Sequence, residues 1–369
     1  MVEVTGATRP ALIDQSAESL EVWLREIGQP AYRARQIISW VYRLEPITEM
    51  TDLPADLREK ISQTFDEGYL ESERFVSGEE DSADRFLFRL KDGESVESVR
   101  IGEPDVYTAC LSTQVGCGLR CSFCASGKFG LTRNLTAGEI LAQVLGLRRE
   151  TATQTGKDGW PRHIVYMGMG EPLQNYRATL DSIRRLIDPN EINFGTRRIT
   201  VSTAGLVPEI YRFAEEGLQV GLAVSLHAPT TELRKSLMPI EEVYPLSKLL
   251  HACRHYIEQT GRRLTFEYVL LAGVNDTPKE ARRLVETFKD WKLVHFNLIR
   301  YNPIGLTQLK RPPLAEARAF EKRLRDGGLH ATLRRSPGRD INAACGQLRG
   351  EEYAKVGITT QQLPHSQAI

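Results

Sequence analysis

The sequence predicts an α/β fold in which six parallel strands form a closed or partly closed barrel. Short β-rich runs alternate with helical runs along most of the chain, and this alternation is typical of βαβ units with helices outside a parallel sheet. The chain has 369 residues, of which 41% are hydrophobic, so it can bury one large core and a smaller one.

The N-terminal region predicts a small helical module. Apolar positions recur at helical spacing between residues 17 and 43, which indicates two short helices separated at Gly28 and Pro30. Ser16 or Ser19 is expected to cap the first helix, because a serine hydroxyl can accept a hydrogen bond from the free N–H groups of a helix start.

A β-hairpin is predicted over residues 68 to 102. The runs RFLFRL and ESVESVRI have the composition of strands, and the turn residues Lys91, Asp92 and Gly93 separate them. We interpret this hairpin as a linker between the helical module and the barrel.

Six runs supply the predicted barrel strands, and a seventh run, HATLRRS, adds an edge strand. The six runs are TACLSTQV, HIVYMGMG, RRITVSTAG, VGLAVSLHA, LTFEYVLLAG and VHFNLIRYN. In barrels of this kind the functional residues lie at the carboxyl ends of the strands. The chain thus divides into a helical module at residues 1 to 67, the linker, a barrel core at residues 103 to 349 and a C-terminal tail at residues 350 to 369.

Three of the six cysteines lie in one short stretch, GCGLRCSFCASG. Cys117, Cys121 and Cys124 follow the first predicted strand at C-x3-C-x2-C spacing, and clustered thiols in a reducing compartment are commonly metal ligands. A structural zinc site normally takes four ligands, often as two distant pairs, and the sequence has no second pair. Three thiolates from one loop can instead hold a 4Fe-4S cluster with one iron open to another ligand. Zinc and a purely structural role remain alternatives at this point.

The cysteine spacing, with Phe123 before the last cysteine, resembles the signature of radical S-adenosylmethionine enzymes. The resemblance implies a partial, six-stranded radical S-adenosylmethionine barrel. It also implies one 4Fe-4S cluster on the three cysteines, with S-adenosylmethionine chelated by the open iron.

Polar residues at the other strand ends agree with this resemblance. The stretch from Gly168 to Pro172 is similar to the GGEP motif of these enzymes, so Gly170 and Glu171 are implied to bind the cofactor's amino group. Taken singly, a Gly-rich strand end is also compatible with a tight turn, and the other positions with ordinary turn or capping residues. The further cofactor-binding residues that the resemblance implies are Ser202, Ser225, Leu226, His227 and Asn302.

Further motifs narrow the resemblance. CLSTQVGC, MGMGEPLQN, SLHAP and DINAACGQL together resemble the RNA adenine methyltransferases of the RlmN and Cfr group, over most of the chain and most closely in the RlmN branch. The resemblance implies methylation of carbon 2 of an adenosine at the peptidyl-transferase centre of 23S rRNA, and of the adenosine 3′ of the anticodon in some tRNAs. Methylation of carbon 8, as in the Cfr branch, is the alternative, and the quoted residues do not separate the two branches.

Two further cysteines and a glutamate receive catalytic roles from this resemblance. Carbon 2 of adenine is electron-poor and cannot take a methyl group by direct displacement on a sulfonium. The resemblance implies that Cys345 is first methylated and then forms a methylene radical that adds to adenine. It implies that Cys110 releases the product by forming a disulfide with Cys345, that Glu97 accepts a proton, and that two molecules of S-adenosylmethionine are consumed.

The same residues have simpler interpretations without the resemblance. Glu97 is also compatible with a carboxylate that faces solvent from a strand. A single cysteine is commonly a small buried hydrophobic residue, and Cys253 keeps that interpretation.

The charge distribution suits a polyanionic substrate, and for the helical run LAEARAFEKRLRDGG alone a solvated helix face is the alternative. The chain has 48 Lys and Arg against 48 Asp and Glu, yet residues 292 to 349 contain 12 basic and 4 acidic side chains. The target base would have to leave its stack to reach the barrel, with the helical module and the basic segment clamping the RNA. The candidates for phosphate contacts are Arg334, Arg335 and Arg339 first, and Lys128 and Arg133 second.

The remaining expectations concern location and partners. No stretch approaches the ~20 apolar residues that span a bilayer, and the N-terminus lacks a signal-peptide pattern, so we expect a cytoplasmic protein with no membrane partner. The resemblance implies a flavodoxin- or ferredoxin-type electron donor. Two other classes stay open: a non-catalytic RNA-binding protein with an electron-transfer or structural cluster, and a radical enzyme acting on a small molecule or peptide.

Overall fold

A mixed ten-stranded sheet organises the protein, as seen in a computed structural model that describes residues 9–70, 72–78 and 82–348. The predicted tail at residues 350 to 369 lies outside the described residues. Within them, no helix is both long enough and apolar enough to cross a membrane.

The N-terminal module consists of helices α1 (Ala17–Glu26), α2 (Arg33–Val41) and α3 (Ala55–Thr64). The two helices predicted from the sequence are confirmed as α1 and α2. Ser16 caps α1, because its hydroxyl accepts a hydrogen bond from the Ser19 N–H at 3.2 Å. The sequence reasoning did not identify α3.

Four antiparallel strands follow the module: β1 (Ser72–Ser77), β2 (Ala83–Arg89), β3 (Ser95–Glu103) and β4 (Val106–Cys110). The predicted hairpin is confirmed as β2 and β3. It is more than a linker, however, because β3 also pairs with β4, the first barrel strand. This pairing satisfies the second row of β3 backbone hydrogen-bonding groups and joins the hairpin to the barrel sheet.

Helices and parallel strands alternate through the rest of the described chain. A small antiparallel pair, β5 (Gln114–Gly116) and β6 (Leu131–Asn134), comes first. The alternating elements are α4 (Ala137–Thr155), β7 (His163–Tyr166), α5 (Tyr176–Ile187), β8 (Ile199–Thr203), α6 (Val207–Glu215), β9 (Gly221–Ser225), α7 (Thr231–Leu237), α8 (Leu246–Thr260), β10 (Leu264–Leu270), α9 (Pro278–Phe288), β11 (Val294–Arg300), α10 (Leu314–Asp326) and β12 (Ala331–Arg334).

The strand order in the large sheet is β1-β2-β3-β4-β7-β8-β9-β10-β11-β12, and the pairs from β4 to β12 are parallel. The predicted α/β class, the six barrel strands and the edge strand β12 are therefore confirmed. One detail differs: the run TACLSTQV contains both β4 and the start of β5, because the chain leaves the large sheet after Cys110. This departure creates the loop that carries the clustered cysteines.

The two faces of the parallel strands have different surroundings. In β10, Phe266 contacts Phe288 of α9 in a tilted ring pair and Tyr268 stacks with Phe320 of α10, so these side chains face the helices. The intervening residues Glu267 and Val269 face the opposite, inner side, because side chains alternate along a strand. The inner face of the sheet thus receives the polar strand residues.

The N-terminal module packs directly on the barrel. The Arg185 guanidinium, from α5, donates to the Ile13 carbonyl at 2.7 Å and to the Tyr42 hydroxyl at 2.9 Å, and it pairs with Glu191 at 3.4 Å. The Asp14 carboxylate accepts a hydrogen bond from the Gly138 N–H at the start of α4 at 2.6 Å. These contacts attach the module to the first two barrel helices.

Replacing Arg185 with alanine should destabilise the protein strongly. The change leaves the buried Glu191 carboxylate without its cation, and breaking such a pair costs about 3 to 5 kcal/mol of unfolding free energy. Arg184→Ala is the matched control, because the neighbouring Arg184 is exposed and its pair with Glu216 contributes below ~1 kcal/mol. Urea denaturation measures both variants, and equal losses would contradict this account.

Candidate active site

The three clustered cysteines lie on the loop between β5 and β6. Gly116, at the end of β5, has φ = 78°, and a Cβ at this position would lie 2.0 Å from the Gly130 carbonyl oxygen. The same carbonyl accepts a hydrogen bond from the Cys117 N–H at 2.7 Å. The loop therefore closes on itself immediately before Cys117, and only glycine fits the turn.

The cysteine thiols share one electrostatic environment. Burial, followed by the charge of Cys124, raises the pKa of the Cys117 thiol to about 12. Burial, followed by the charges of Cys124 and Cys117, raises the pKa of Cys121 well above its ordinary value. These thiols would have to lose their protons when they bind iron as thiolates.

The three thiols are close enough to interact electrostatically. In the described ranges, no group of three or more His, Cys, Asp or Glu side chains is arranged to hold a single metal ion. A 4Fe-4S cluster takes its thiolates at separate irons and is compatible with more widely spaced sulfurs. Apolar residues that include Leu119, Met238 and Leu271 pack with the loop and limit solvent access. The residues present therefore fit such a cluster.

The segment around Cys345 packs against the cysteine loop. The Ala125 N–H donates to the Gly346 carbonyl at 2.7 Å, and the Ser126 hydroxyl donates to the Leu348 carbonyl at 2.6 Å. Ser126 and Leu348 are 222 positions apart in sequence. The fold thus brings the predicted methyl-carrying residue next to the predicted cluster ligands.

Solvent reaches the Cys345 side chain, although protein groups surround it on the other sides. Desolvation, followed by the charges of Cys110, Glu267 and Cys124, raises the pKa of the Cys345 thiol. Cys345 therefore lies in an open recess beside these three groups.

Cys110, the last residue of β4, faces the same segment. Its side chain is buried in an apolar cluster with Ile341 and Ala343, which precede Cys345. Burial raises the pKa of the Cys110 thiol to about 12. Both thiols are free in this structure, and the disulfide between them stays a prediction.

Glu97 is buried, so its interpretation as a solvent-facing carboxylate is wrong. Glu97 lies on β3 two residues before Val99, and Val99 pairs with Cys110 of β4. Residues two apart in a strand lie on the same face of the sheet, so Glu97 and Val99 share a face and are about 7 Å apart along β3. The Arg85 guanidinium donates to the Glu97 carboxylate at 3.0 Å. The ion pair allows a carboxylate to remain inside the sheet.

Gly170 and Glu171 lie just after β7, on the site side, but their nearest partners are protein groups. Gly170 has φ = 98°, and a Cβ there would lie 2.6 Å from the Gln114 side chain. The Glu171 carboxylate accepts hydrogen bonds from the Ala204 N–H at 2.7 Å and the Leu173 N–H at 3.0 Å. Burial raises the pKa of Glu171 to about 7. Gly170 and Glu171 thus hold the backbone after β7 against the backbone after β8.

Ser202, Ser225 and Leu226 lie at the ends of β8 and β9. Both serines are partly accessible, whereas Leu226 is fully buried. The Leu226 N–H donates to the Glu267 carbonyl at 3.0 Å, which continues the strand pairing. The serines are therefore the members of this group whose side chains are accessible.

His227 has a structural environment. Its Nδ1 accepts a hydrogen bond from the Val269 N–H at 3.0 Å, and the Asn275 side chain donates to its carbonyl at 2.7 Å. Burial, followed by the charge of Arg234, lowers the pKa of His227 to about 3, so the ring is neutral with its proton on Nε2. The ring also meets Phe123 of the cysteine loop edge-on at 4.6 Å between centroids.

Asn302 connects the last parallel strands to the Cys345 segment. Its Nδ2 donates to the Cys345 carbonyl at 3.1 Å, and its Oδ1 accepts from the Arg311 guanidinium at 2.7 Å. The sequence reasoning assigned Asn302 to the cofactor. In this structure its side-chain partners are Cys345 and Arg311.

Glu267 is a site residue that the sequence reasoning missed. Its register partners are Ser225 on β9 and Asn297 on β11, and the Asn297 side chain donates to its carboxylate at 2.9 Å. Burial raises the pKa of Glu267 to about 7. A polar residue at an inner position of the run LTFEYVLLAG was the available signal.

The candidate phosphate-binding residues occupy two places. Arg334, Arg335 and Arg339 line one pocket at the end of β12, whereas Lys128 lies near Cys124. Burial raises the pKa of the Cys124 thiol, and the charge of Lys128 offsets part of this rise. The Arg133 guanidinium donates hydrogen bonds to the Glu139 carboxylate at 2.8 Å and to the Asp92 carboxylate, so these two ion pairs compensate its charge. Cys253 is buried within α8, as expected.

A three-cysteine loop at the end of the first parallel strand of a barrel sheet defines a class, the radical S-adenosylmethionine enzymes. The family model of the Radical SAM superfamily matches residues 111–285. A second family model, the ribosomal RNA large subunit methyltransferase N-terminal domain, matches residues 11–66. The cluster and S-adenosylmethionine follow from membership of this superfamily.

The chain belongs to the RlmN family of radical S-adenosylmethionine RNA methyltransferases. It is 45% identical to the probable dual-specificity RNA methyltransferase RlmN of Halalkalibacterium halodurans, over 94% of this chain and 95% of that protein. It is 43% identical to the protein of that name from a Thermotoga species, over 92% of this chain and 97% of that protein. A solved radical SAM methyltransferase from Sphaerobacter thermophilus is 48% identical, with a TM-score of 0.87, over 92% of this chain and 99% of that chain.

Replacing Glu267 with glutamine should stabilise the protein selectively at high pH. The folded-state pKa of about 7 lies above the ordinary value of 4.5, so the wild type loses about 2 to 3 kcal/mol of unfolding free energy as pH rises from 5 to 8. The amide keeps an oxygen for Asn297 but does not titrate. Urea denaturation at both pH values tests this, with the exposed Glu258→Gln as control. A pH-independent difference from the wild type would refute it.

Proposed function

We propose that the protein methylates carbon 2 of a specific adenosine at the peptidyl-transferase centre of 23S rRNA, and of the adenosine 3′ of the anticodon in some tRNAs. Membership of the RlmN family supports RNA as the substrate, because the relatives' names describe dual-specificity RNA methyltransferases. Carbon 2 is proposed rather than carbon 8 because the relatives named above are RlmN proteins.

The contact between the Cys345 segment and the cysteine loop is the observation that carries this proposal. When bound, the cluster and S-adenosylmethionine supply a methyl group and, after one-electron reduction, a 5′-deoxyadenosyl radical. A residue that accepts the methyl group and reacts with the radical has to lie beside the cluster ligands. The hydrogen bonds from Ala125 to Gly346 and from Ser126 to Leu348 hold Cys345 there.

Cys345 is proposed to carry the methyl group to adenine. Its thiolate would accept the methyl group, and the S-methyl group would then lose a hydrogen atom to the 5′-deoxyadenosyl radical. The resulting methylene carbon radical would bond to carbon 2. Because these are two separate events, two molecules of S-adenosylmethionine are consumed per turnover. The accessible position of Cys345 suits the approach of an adenine that has left its stack.

Cys110 and Glu97 suit the release step. One electron of the adduct would return to the cluster, and Glu97 would accept the proton from carbon 2. The Cys110 thiolate would then attack the Cys345 sulfur, which breaks the bond between that sulfur and the methylene carbon, and the methylene carbon would take up a proton to become the methyl group. The products are methylated adenine and a Cys110–Cys345 disulfide, which two electrons must reduce. Burial keeps Cys110 protonated at rest, and its place in the apolar cluster with Ile341 and Ala343 keeps it beside the Cys345 segment.

The proposed setting is the cytoplasm, with a flavodoxin- or ferredoxin-type protein as electron donor. The helical module is proposed to bind RNA, and its attachment to α4 and α5 through Asp14 and Arg185 would fix it relative to the barrel.

The first test of the function is an anaerobic assay of cluster-reconstituted protein with S-adenosylmethionine, a reductant and a large-subunit RNA fragment. Mass spectrometry of the digested nucleosides should show 2-methyladenosine for the wild type and none for Cys345→Ala, which lacks the acceptor sulfur. Cys253→Ala is the matched control, because Cys253 is buried in α8, and it should retain activity. Appearance of 8-methyladenosine would move the assignment to carbon 8, and cofactor cleavage without methylated adenosine would contradict an RNA substrate.

Replacing Cys110 with alanine should trap the RNA on the protein. Without the resolving thiol, the bond between Cys345 and adenine persists, so a covalent adduct should accumulate on a denaturing gel after an anaerobic reaction. Cys110→Ala combined with Cys345→Ala is the control and should form no adduct. Turnover of the Cys110→Ala variant at the wild-type rate would exclude the proposed release step.

A further inference from the structure

A pocket of about 430 Å³ lies at the carboxyl ends of β11 and β12, and most of its lining is arginine. Arg300 is the last residue of β11 and Arg334 the last residue of β12. The carboxyl ends of parallel strands form the functional edge of this fold, so the pocket lies on the same edge as the cysteine loop. Its arginines are Arg300, Arg311, Arg318, Arg334, Arg335 and Arg339.

The guanidinium groups of the pocket repel one another. Desolvation, followed by the charges of Arg339 and Arg318, lowers the pKa of Arg300. Desolvation, followed by the charges of Arg300 and Arg339, lowers the pKa of Arg311 to about 10. Like charges held together in this way are stabilised by a bound anion.

One acidic side chain belongs to the described lining of this pocket. Among the described lining residues the acidic side chain is Glu321, and one of its oxygens accepts the Leu333 N–H at 3.0 Å. The Ser336 hydroxyl, also in the lining, is buried without a hydrogen-bond partner. A buried hydroxyl without a partner costs free energy, so a ligand oxygen here would satisfy it.

Hydrogen bonds place the pocket next to the proposed acceptor residue. Arg311 lines the pocket and donates to the Asn302 side chain at 2.7 Å, and Asn302 donates to the Cys345 carbonyl at 3.1 Å. Arg311 also donates to the Tyr301 carbonyl at 2.9 Å. Two hydrogen bonds therefore separate an arginine of the pocket from the backbone of Cys345.

We propose that this pocket binds one backbone phosphate of the substrate RNA, directly beside the adenosine that Cys345 methylates. The inference rests on the proposed function for the identity of the RNA. Planar guanidinium forks match the oxygens of a phosphate, and several of them around one recess select phosphate over a neutral base. The pocket thereby fixes the register of the RNA relative to Cys345.

The test compares RNA binding by two charge-matched double variants. Arg318→Ala with Arg335→Ala removes two exposed pocket charges that make no hydrogen bond to Asn302 or Cys345 among the contacts described above. Lys279→Ala with Arg282→Ala removes two exposed charges from α9 and is the control. We expect the pocket variant to bind an RNA hairpin that contains the target adenosine roughly tenfold or more weakly than the wild type does. In a plot of the logarithm of the binding constant against the logarithm of the salt concentration, the slope should become less steep by about 1 for each lost phosphate contact.

A phosphate scan identifies the contact. Hairpins with a single neutral methylphosphonate at each position near the target adenosine are bound to the wild type and to both double variants. At one position the substitution should weaken binding to the wild type and the control variant but not to the pocket variant. If no position shows this loss of effect, or if the pocket variant binds like the control, the pocket is not a phosphate site.

The methylation assay separates this inference from the proposed function. The wild type is assayed on the same hairpin for 2-methyladenosine. If the wild type methylates the hairpin but no methylphosphonate position loses its effect in the pocket variant, the pocket assignment alone is overturned. A coupled phosphate without methylation would support the pocket and count against the proposed reaction. Both double variants should unfold at the same temperature as the wild type, which would show that the substitutions leave folding unchanged.

Discussion

The contact between the cysteine loop and the Cys345 segment is the constraint on which the rest of the site depends. The loop belongs to the start of the barrel and Cys345 follows its last strand, so the two meet only if the whole sheet between them has the correct register. Backbone carbonyls at Gly346 and Leu348 make the contact, which explains why the loop itself needs a donor at Ala125 and a hydroxyl at Ser126. A shift of either segment would separate the proposed acceptor sulfur from the cluster ligands.

Parallel strand register also explains how isolated polar residues become one surface. Ser225, Glu267 and Asn297 are distant in sequence but occupy the same level on β9, β10 and β11. Because neighbouring strands keep matching residues on one face, all three point to the inner side. Burial at this level favours the protonated form of Glu267, so the inner face can hold a carboxyl group near Cys345 at lower electrostatic cost than a fixed charge would have.

The sequence predicted the elements and motifs better than it predicted the partners of individual residues. Periodicity located the barrel strands, and the cysteine spacing located the loop, because both signals are local. The partners of Asn302 and Glu171 could not be predicted, since they come from Cys345 and Ala204 in other parts of the chain. The residues alone left the burial of Glu97 open for the same reason: its cation, Arg85, lies on the neighbouring strand, and nothing local distinguishes a paired inner carboxylate from an exposed one.

Net charge illustrates the same limit from the opposite direction. The chain is neutral overall, with 48 basic and 48 acidic residues, so bulk charge carries no information about an anionic partner. The basic bias near the C-terminus is visible in the sequence, but the bias alone does not show which arginines converge. Folding draws Arg300 from β11, Arg318 from α10 and Arg335 from beyond β12 into one recess. Their mutual repulsion costs free energy, and an anionic ligand that binds this recess would offset it.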